Sequence, residues 1–277
     1  MPDTPVKNDK DSKPRLGEHA RLFSGFIEKN SGLSFTDEQA VNALESSLLI
    51  RMQDLGIRNF IDYYDLLIME NDPKAEIRAL LELLTINETS FFRNLPQFEA
   101  FQEFVLPRLL ESRGHMSRTL RIWCAGCASG EEPYTLAMIL QSHLPQDQTW
   151  DFDIYATDIS QRALSTARHG VYTKRSVRST PESYLSTFFI AREDGTYEIH
   201  KSIKDSVSFG ISNLVSELPP VPGPFDVIFC RNVIIYFSKT TIEQILSMFN
   251  DYLAHDGYLF VGHSENISNF SDAFQPT

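Results

Sequence analysis

The sequence predicts an α/β fold: an open, largely parallel sheet with crossover helices follows an N-terminal all-α domain and carries an inserted antiparallel β-subdomain. Three observations predict it. Apolar residues recur at helical spacing over residues 22–84, short apolar strands alternate with helical segments from residue 120 onward, and residues 121–134 run from an apolar strand through a glycine-bearing turn into a helix start.

Residues 1–14 mix Pro, Lys, Asp and Ser without periodicity and read as a disordered tail. The helical domain, residues 15–85, shows apolar stripes at Leu22, Phe23, Phe26 and Ile27, then Val41, Leu44, Leu48, Leu49, Met52 and Leu55, then Phe60, Tyr63, Leu66 and Leu67. Breaks at Ser31-Gly32, Gly56 and Asn71-Asp72-Pro73 separate the helices, whose stripes form a core. Residues 86–277 make the second domain. Its first strand is 120–124, with a helix at 134–144; its second is 152–157, closed by Asp158, with Ser160 as N-cap of the next helix. Strands at 207–211, 225–230 and 258–262 follow, the last after a helix at 239–253. An insertion at 188–203 reads as a hairpin turning at Asp194-Gly195.

The chain has 277 residues, 42% of them hydrophobic, enough for two cores. A formal charge of −12 argues against nucleic acid or an anionic membrane as partner. No segment resembles a signal peptide or reaches the roughly 20 apolar residues that span a bilayer, so a cytoplasmic, non-inserted protein is expected. The three cysteines do not suggest a disulfide framework. Cys124 and Cys127 form a C-x-x-C pattern, but the turn is explained without metal, and no metal is expected.

The turn carries the first chemical signal. Gly126 and Gly130 permit a tight turn, and Pro133 suits a first helical turn. A phosphate loop would place Lys-Ser or Lys-Thr after its last glycine. Glu131 and Glu132 stand there instead. Two carboxylates repel a pyrophosphate and pair with a cation, and S-adenosylmethionine carries a sulfonium and an α-ammonium. The alternative is that both merely complement the helix dipole.

In an open parallel sheet the ligand lies across the carboxyl ends of the strands. Those ends bear Asp158, Asn213, Arg231 and Asn232. Asp158 lies 32 positions after Gly126 and can accept from a ribose diol; alternatively it only begins the next helix. In residues 87–93, Phe91 and Phe92 can anchor Arg93 beside a cofactor, or the segment is a capped linker. Tyr236, after the fourth strand, is a further candidate or a packing residue.

Taken together, residues 87–93 (Asn-Glu-Thr-Ser-Phe-Phe-Arg), 124–134, 156–159, 212–214, 229–237 and 262–266 resemble the chemotaxis receptor methyltransferase (CheR) family, over nearly the whole chain. The resemblance implies a Rossmann-like class I methyltransferase sheet behind the helical domain, and a monomer acting on the cytoplasmic helical region of chemoreceptors is expected. It implies methyl transfer from S-adenosylmethionine to glutamate side chains, giving glutamyl methyl esters and S-adenosylhomocysteine. It further implies that Asn87, Thr89, Arg93, Glu132, Asp158, Asn213, Leu214, Arg231 and Asn232 contact the cofactor, with Gly126 in its cradle. Arg93 and Tyr236 would flank the methyl group.

Two features depart from the family pattern: the charge of the helical domain, and the end of the sequence at Thr277, where the family is expected to add a short closing strand. Residues 21–90 hold six Lys/Arg against twelve Asp/Glu, where the family offers a basic helix to its acidic receptor. Arg51 and Arg58 are docking candidates, and so are Lys174, Arg175 and Arg178, unless either group is only a solvated face. The insertion, which some members use to bind a receptor tail peptide, has a tight turn that predicts action without such a tether. Two rival readings stand beside this one: a methyltransferase for another substrate, and a non-catalytic adaptor that binds the donor or its product.

Overall fold

The structure is a computed structural model that describes residues 16–69, 73–114, 118–145, 149–216, 219 and 221–276. The tail expected at residues 1–14 lies outside them. Contacts divide the chain into two compact units, one made of Met1–Lys29 with Ser34–Leu84 and the other of Asn30–Leu33 with Thr85–Thr277.

The first unit is helical. Its helices are α1 (Ala20–Ser31), α2 (Glu38–Leu55), α3 (Phe60–Met69) and α4 (Pro73–Leu84). Asp37 caps α2 by accepting from the Ala40 amide at 2.8 Å, satisfying an amide that has no intrahelical partner. Phe23 meets Phe60 and Tyr64 edge-on and stacks with Tyr63, while Leu44, Leu48 and Met52 bury the inner face of α2. A polar knot lies within this core. Arg51 of α2 grips Glu76 of α4 through Nε (2.9 Å) and Nη2 (2.7 Å), and the buried Tyr63 hydroxyl donates to the same carboxylate at 2.6 Å. Burial and the neighbouring Glu76 charge push the Tyr63 phenol well up, so it stays a donor.

In the second unit, α5 (Leu95–Ala100), a π turn at Phe101–Val105 and α6 (Leu106–Arg113) precede β1 (Thr119–Ala125), α7 (Glu131–His143), β2 (Asp151–Asp158) and α8 (Gln161–His169). A small region follows: β3 (Val171–Tyr172), α9 (Lys174–Val177), α10 (Glu182–Phe188), β4 (Phe189–Ala191), β5 (Tyr197–Ile199) and α11 (Lys201–Lys204). Then come β6 (Val207–Ile211), β7 (Phe225–Cys230), α12 (Lys239–Tyr252) and β8 (Leu253–Val261).

The large sheet has the order β6-β2-β1-β7-β8 and is parallel throughout. Its central strands β1 and β7 are apolar on both faces because helices cover both. Ile122, Cys124, Val227 and Phe229 enter one hydrophobic cluster, and Trp123, Ala125, Phe225 and Ile228 enter the other. Strand order runs outward both ways from β1, so the crevice between β1 and β7 is the switch point of this topology. At the amino ends of the strands, Asp226 accepts from Arg113 Nε (2.6 Å) and from the Arg121 amide (2.8 Å).

The inserted region and the last strand differ from the sequence expectation. The hairpin is narrower than 188–203, because Phe188 closes α10 and Lys201 opens α11. It also gains a partner, since β3 pairs antiparallel with β5 and makes the order β3-β5-β4. The last strand begins at Leu253 rather than at 258, with a register irregularity opposite Phe225 and Val227.

Removing the carboxylate from the knot leaves the largely buried guanidinium only the exposed Asp54 and strands the Tyr63 hydroxyl. Glu76→Ala is expected to lower stability by about 3 kcal/mol, read as a fall in the urea midpoint by circular dichroism.

Candidate active site

The candidate residues of the second unit that the sequence placed at strand ends gather at the carboxyl ends of β1, β2, β6 and β7. The turn after β1 is fixed by backbone bonds. The Gly126 and Cys127 amides donate to the Thr157 carbonyl at 2.8 and 3.0 Å. Gly126 (φ +81°) and Gly130 (φ +90°) occupy left-handed conformations, and added Cβ atoms would come within 2.5 Å of Val233 and 2.7 Å of Ala167. The missing side chains therefore make room for protein packing.

Asp158 secures the same turn. Oδ2 accepts from the Ala128 amide at 2.7 Å and Oδ1 from the Ser160 amide at 2.9 Å, while its carbonyl accepts from the Ser212 amide. Ser160 caps α8 through the Ala163 amide, as its position predicted. Asp158 thus does begin the next helix, and it also ties the turn after β1 to the end of β2. Asn213 bridges in a similar way, donating to the Asn30 carbonyl at 2.8 Å and accepting from the Val215 amide at 3.0 Å. Leu214 packs on the cluster around Trp123, and the adjacent buried Ser212 hydroxyl has no hydrogen-bond partner among the described residues.

The two glutamates of the helix start diverge. Glu131 is buried and accepts from the Ser129 hydroxyl at 2.7 Å. Glu132 faces Arg231, whose Nη1 lies 2.8 Å from it. Burial raises both carboxyls above the usual range, and the Arg231 charge opposes the rise at Glu132.

Arg231 is itself buried, its side chain 3% exposed. Its Nε donates to Gln97 (2.6 Å), Nη2 donates to the Arg93 carbonyl (2.5 Å), and its plane lies over Phe98 at 5.2 Å. Gln97 donates in turn to the Val261 carbonyl of β8 at 2.7 Å. Three of its five N–H donors thus meet protein acceptors, so Arg231 ties three parts of the site together.

Arg93 sits between Phe92 (φ +52°) and Asn94 (φ +63°), two left-handed residues that are not glycine. Such conformations cost roughly 1–3 kcal/mol each and persist only where packing over-determines them. Packing is supplied on both sides of the ring pair. Phe91 meets Tyr172 and Phe189 edge-on at 4.8 and 5.0 Å, and Phe92 meets Tyr184 at 4.9 Å. The Arg93 guanidinium turns back to donate to the Glu88 carbonyl at 2.7 Å.

Tyr236, half-buried, closes a short 3₁₀ turn at Ile234–Tyr236. Burial raises its phenol, the Arg93 charge opposes this, and the carboxylates of Glu265 and Glu88 add to it. Arg93 and Tyr236 therefore share one electrostatic environment. The loop that carries Tyr236 hangs on Glu265, a residue with no assigned role in the sequence reading, although its motif was noted. Gln97 went unnoticed altogether, because nothing in its neighbourhood marks it.

Other candidates fall away from this centre or stay at its edge. Asn87 donates weakly to Thr85 Oγ1 at 3.4 Å, and Thr89 is half-buried. Arg51 is committed to Glu76 and to Asp54 (2.8 Å), which corrects its reading as an outward docking cation. Arg58, Lys174, Arg175 and Arg178 are exposed, and Arg175 pairs with Glu88 at 2.6 Å. All three cysteines are buried thiols whose pKa burial pushes well up, and no three metal-ligating side chains converge among the described residues. No described helix is long and apolar enough to cross a membrane.

Carboxylates rather than a lysine stand at the cofactor turn, and the buried Ser212 hydroxyl, on a residue whose amide donates to the Asp158 carbonyl, has no partner among the described residues. That donor set fits an adenosine with a cationic tail and not a polyphosphate. Fold and site together define an S-adenosylmethionine-dependent methyltransferase.

Comparison with known proteins narrows the class. Residues 87–277 match the CheR methyltransferase SAM binding domain and residues 18–85 its all-alpha domain. Chemotaxis protein methyltransferase 2 of Vibrio cholerae is 34% identical over 253 residues, 91% of this chain and 86% of that protein. The chemotaxis protein methyltransferase of Escherichia coli is 34% identical over 92% of this chain and 87% of its own length, and that of Listeria monocytogenes 40% over 69% and 70%. The chain belongs to the CheR methyltransferase family.

Replacing Arg231 by an apolar side chain strands Glu132 and releases the Arg93 carbonyl together. Arg231→Met is expected to cost about 3–5 kcal/mol, seen as a lowered unfolding midpoint in calorimetry.

Proposed function

We propose that this chain methylates glutamate side chains in the helical region of chemoreceptors, producing γ-glutamyl methyl esters. The observation that supports the reading is the electrostatic environment shared by Arg93 and Tyr236, whose segments are tied to the end of β7, next to carboxylates suited to the donor. S-adenosylmethionine supplies the methyl group as an electrophile. Asp158 accepts from the ribose hydroxyls, Glu132 faces the ammonium end, and Asn213, Leu214 and Asn232 border the adenosine, with Asn87 and Thr89 at the rim.

The acceptor needs little activation. A glutamate side chain with a pKa near ~4.3 is already a carboxylate at neutral pH, so no general base is required. One carboxylate oxygen attacks the methyl carbon and the sulfur departs with the bonding pair. Catalysis is then a matter of alignment. Arg93 exchanges its bond to the Glu88 carbonyl for the acceptor carboxylate and holds it in line. Tyr236 stays protonated, because burial raises its phenol, and its hydroxyl borders the methyl path.

Docking falls to the cations of α9. That turn is fastened to the Arg93 segment, since the Ser176 carbonyl accepts from the Phe91 amide at 3.0 Å and Arg175 pairs with Glu88. Lys174, Arg175 and Arg178 there meet an acidic receptor segment next to the reacting groups, and Arg58 adds a further cation. The tight hairpin between β4 and β5 favours action without a receptor tail.

Incubation with radiolabelled donor and purified receptors is expected to give base-labile methyl esters, also on tail-truncated receptors; absence of label on every receptor would refute the assignment. Arg93→Ala and Tyr236→Phe are expected to lower turnover about tenfold or more. In the tyrosine variant the loss should fall on kcat and leave affinity for S-adenosylhomocysteine nearly intact. Asp158→Ala is expected to weaken S-adenosylhomocysteine by about 1–3 kcal/mol in calorimetric titration, and an unchanged Kd would remove its cofactor role.

A further inference from the structure

Glu265 has no part in the chemistry above, yet it is 7% exposed and among the few buried carboxylates of the second unit. Its Oε2 accepts from the amides of Asn232 (2.8 Å) and Gly262 (2.5 Å), and its Oε1 from those of Val233 (2.9 Å) and Ile235 (3.3 Å). Four converging N–H donors match the roughly four lone-pair positions of an ionised carboxylate. Three of the four donors belong to the run between β7 and Tyr236, and the first, Asn232, is left-handed at φ +60°.

No shorter or neutral side chain reproduces this. Glutamine would keep one acceptor oxygen and turn its NH2 against two N–H donors. The pocket also has no spare volume, for a Cβ at Gly262 would lie 2.7 Å from Glu265 Oε2 and 2.9 Å from the Asn232 amide. The carboxylate, the glycine and the loop are built to one another.

We infer that Glu265 is a positioning residue for methyl transfer: by gathering the amides of Asn232, Val233 and Ile235 it sets the Tyr236 hydroxyl against the methyl path and Asn232 against the cofactor. The inference rests on the reading of Tyr236 given above. It separates alignment from mere folding, because Glu265 would then act through Tyr236 and its loss would matter less once that hydroxyl is gone.

Glu265→Gln and Gly262→Ala, each in the wild-type and the Tyr236→Phe background, test this by single-turnover transfer at saturating S-adenosylmethionine. Each is expected to slow transfer about tenfold or more in the wild-type background and less than about threefold in the Tyr236→Phe background. Equal fold losses in both backgrounds would overturn the inference. Should Glu265→Gln fail to fold, Gly262→Ala keeps the carboxylate, displaces it, and decides the matter alone. Calorimetric titration with S-adenosylhomocysteine needs no acceptor, so it separates the two readings. If the wild-type protein labels no receptor, the acceptor assignment fails by itself. The product Kd then decides: about tenfold weaker binding in the nest variants supports the role of Glu265, and an unchanged Kd refutes it.

Discussion

Arg231 lies in the interior of the second unit, and the arrangement of the site follows from what a buried guanidinium demands. A planar fork offers donors in fixed directions, and each must find an acceptor once water is gone. Glu132 answers from the start of α7, Gln97 from α5, and the Arg93 carbonyl from the segment before it. Two stretches distant in sequence, residues 93–97 and the start of α7, are thereby held to one point at the end of β7. The exchange is mutual, since the same cation opposes the rise that burial imposes on the Glu132 carboxyl. A site built around one interior charge gains geometric definition and becomes intolerant of any change to that charge.

The neighbouring loop repeats the principle with opposite sign. Glu265 gathers amides where Arg231 gathers oxygens, and residues 231 and 232 follow each other in the chain. The limb bearing Arg93 and the limb bearing Tyr236 are therefore registered against each other through two consecutive residues. Strain at Phe92 and Asn94 fits this scheme. Those conformations are held by aromatic contacts on one side and by the Arg231 bond to residue 93 on the other.

Much of this was legible in the sequence because it is periodic or topological. The four helices of the first unit announce themselves by stripes of Phe, Leu and Tyr and by the breaks between them. The central parallel strands are apolar on both faces, and the rule that ligands sit at the carboxyl ends of such a sheet singled out Asp158, Asn213, Arg231 and Asn232 before any geometry was known. What stayed hidden is short or relational. The strand Val171–Tyr172 is two residues long and the helix Lys174–Val177 four, too brief for a pattern. Gln97 and Glu265 matter only through backbone groups brought from elsewhere. Arg51 read as a surface cation because nothing local shows that Glu76, 25 positions on, would claim it.

The close approach of Gly126 to Val233 gives the turn after β1 and the loop after β7 a common boundary. Neither can be enlarged alone. A lineage that placed a side chain at 126 would need a smaller one at 233, and the left-handed backbone at 126 makes even that exchange costly. Variation in the two loops is thus tied together, so that drift in the cofactor turn is felt at once beside Tyr236.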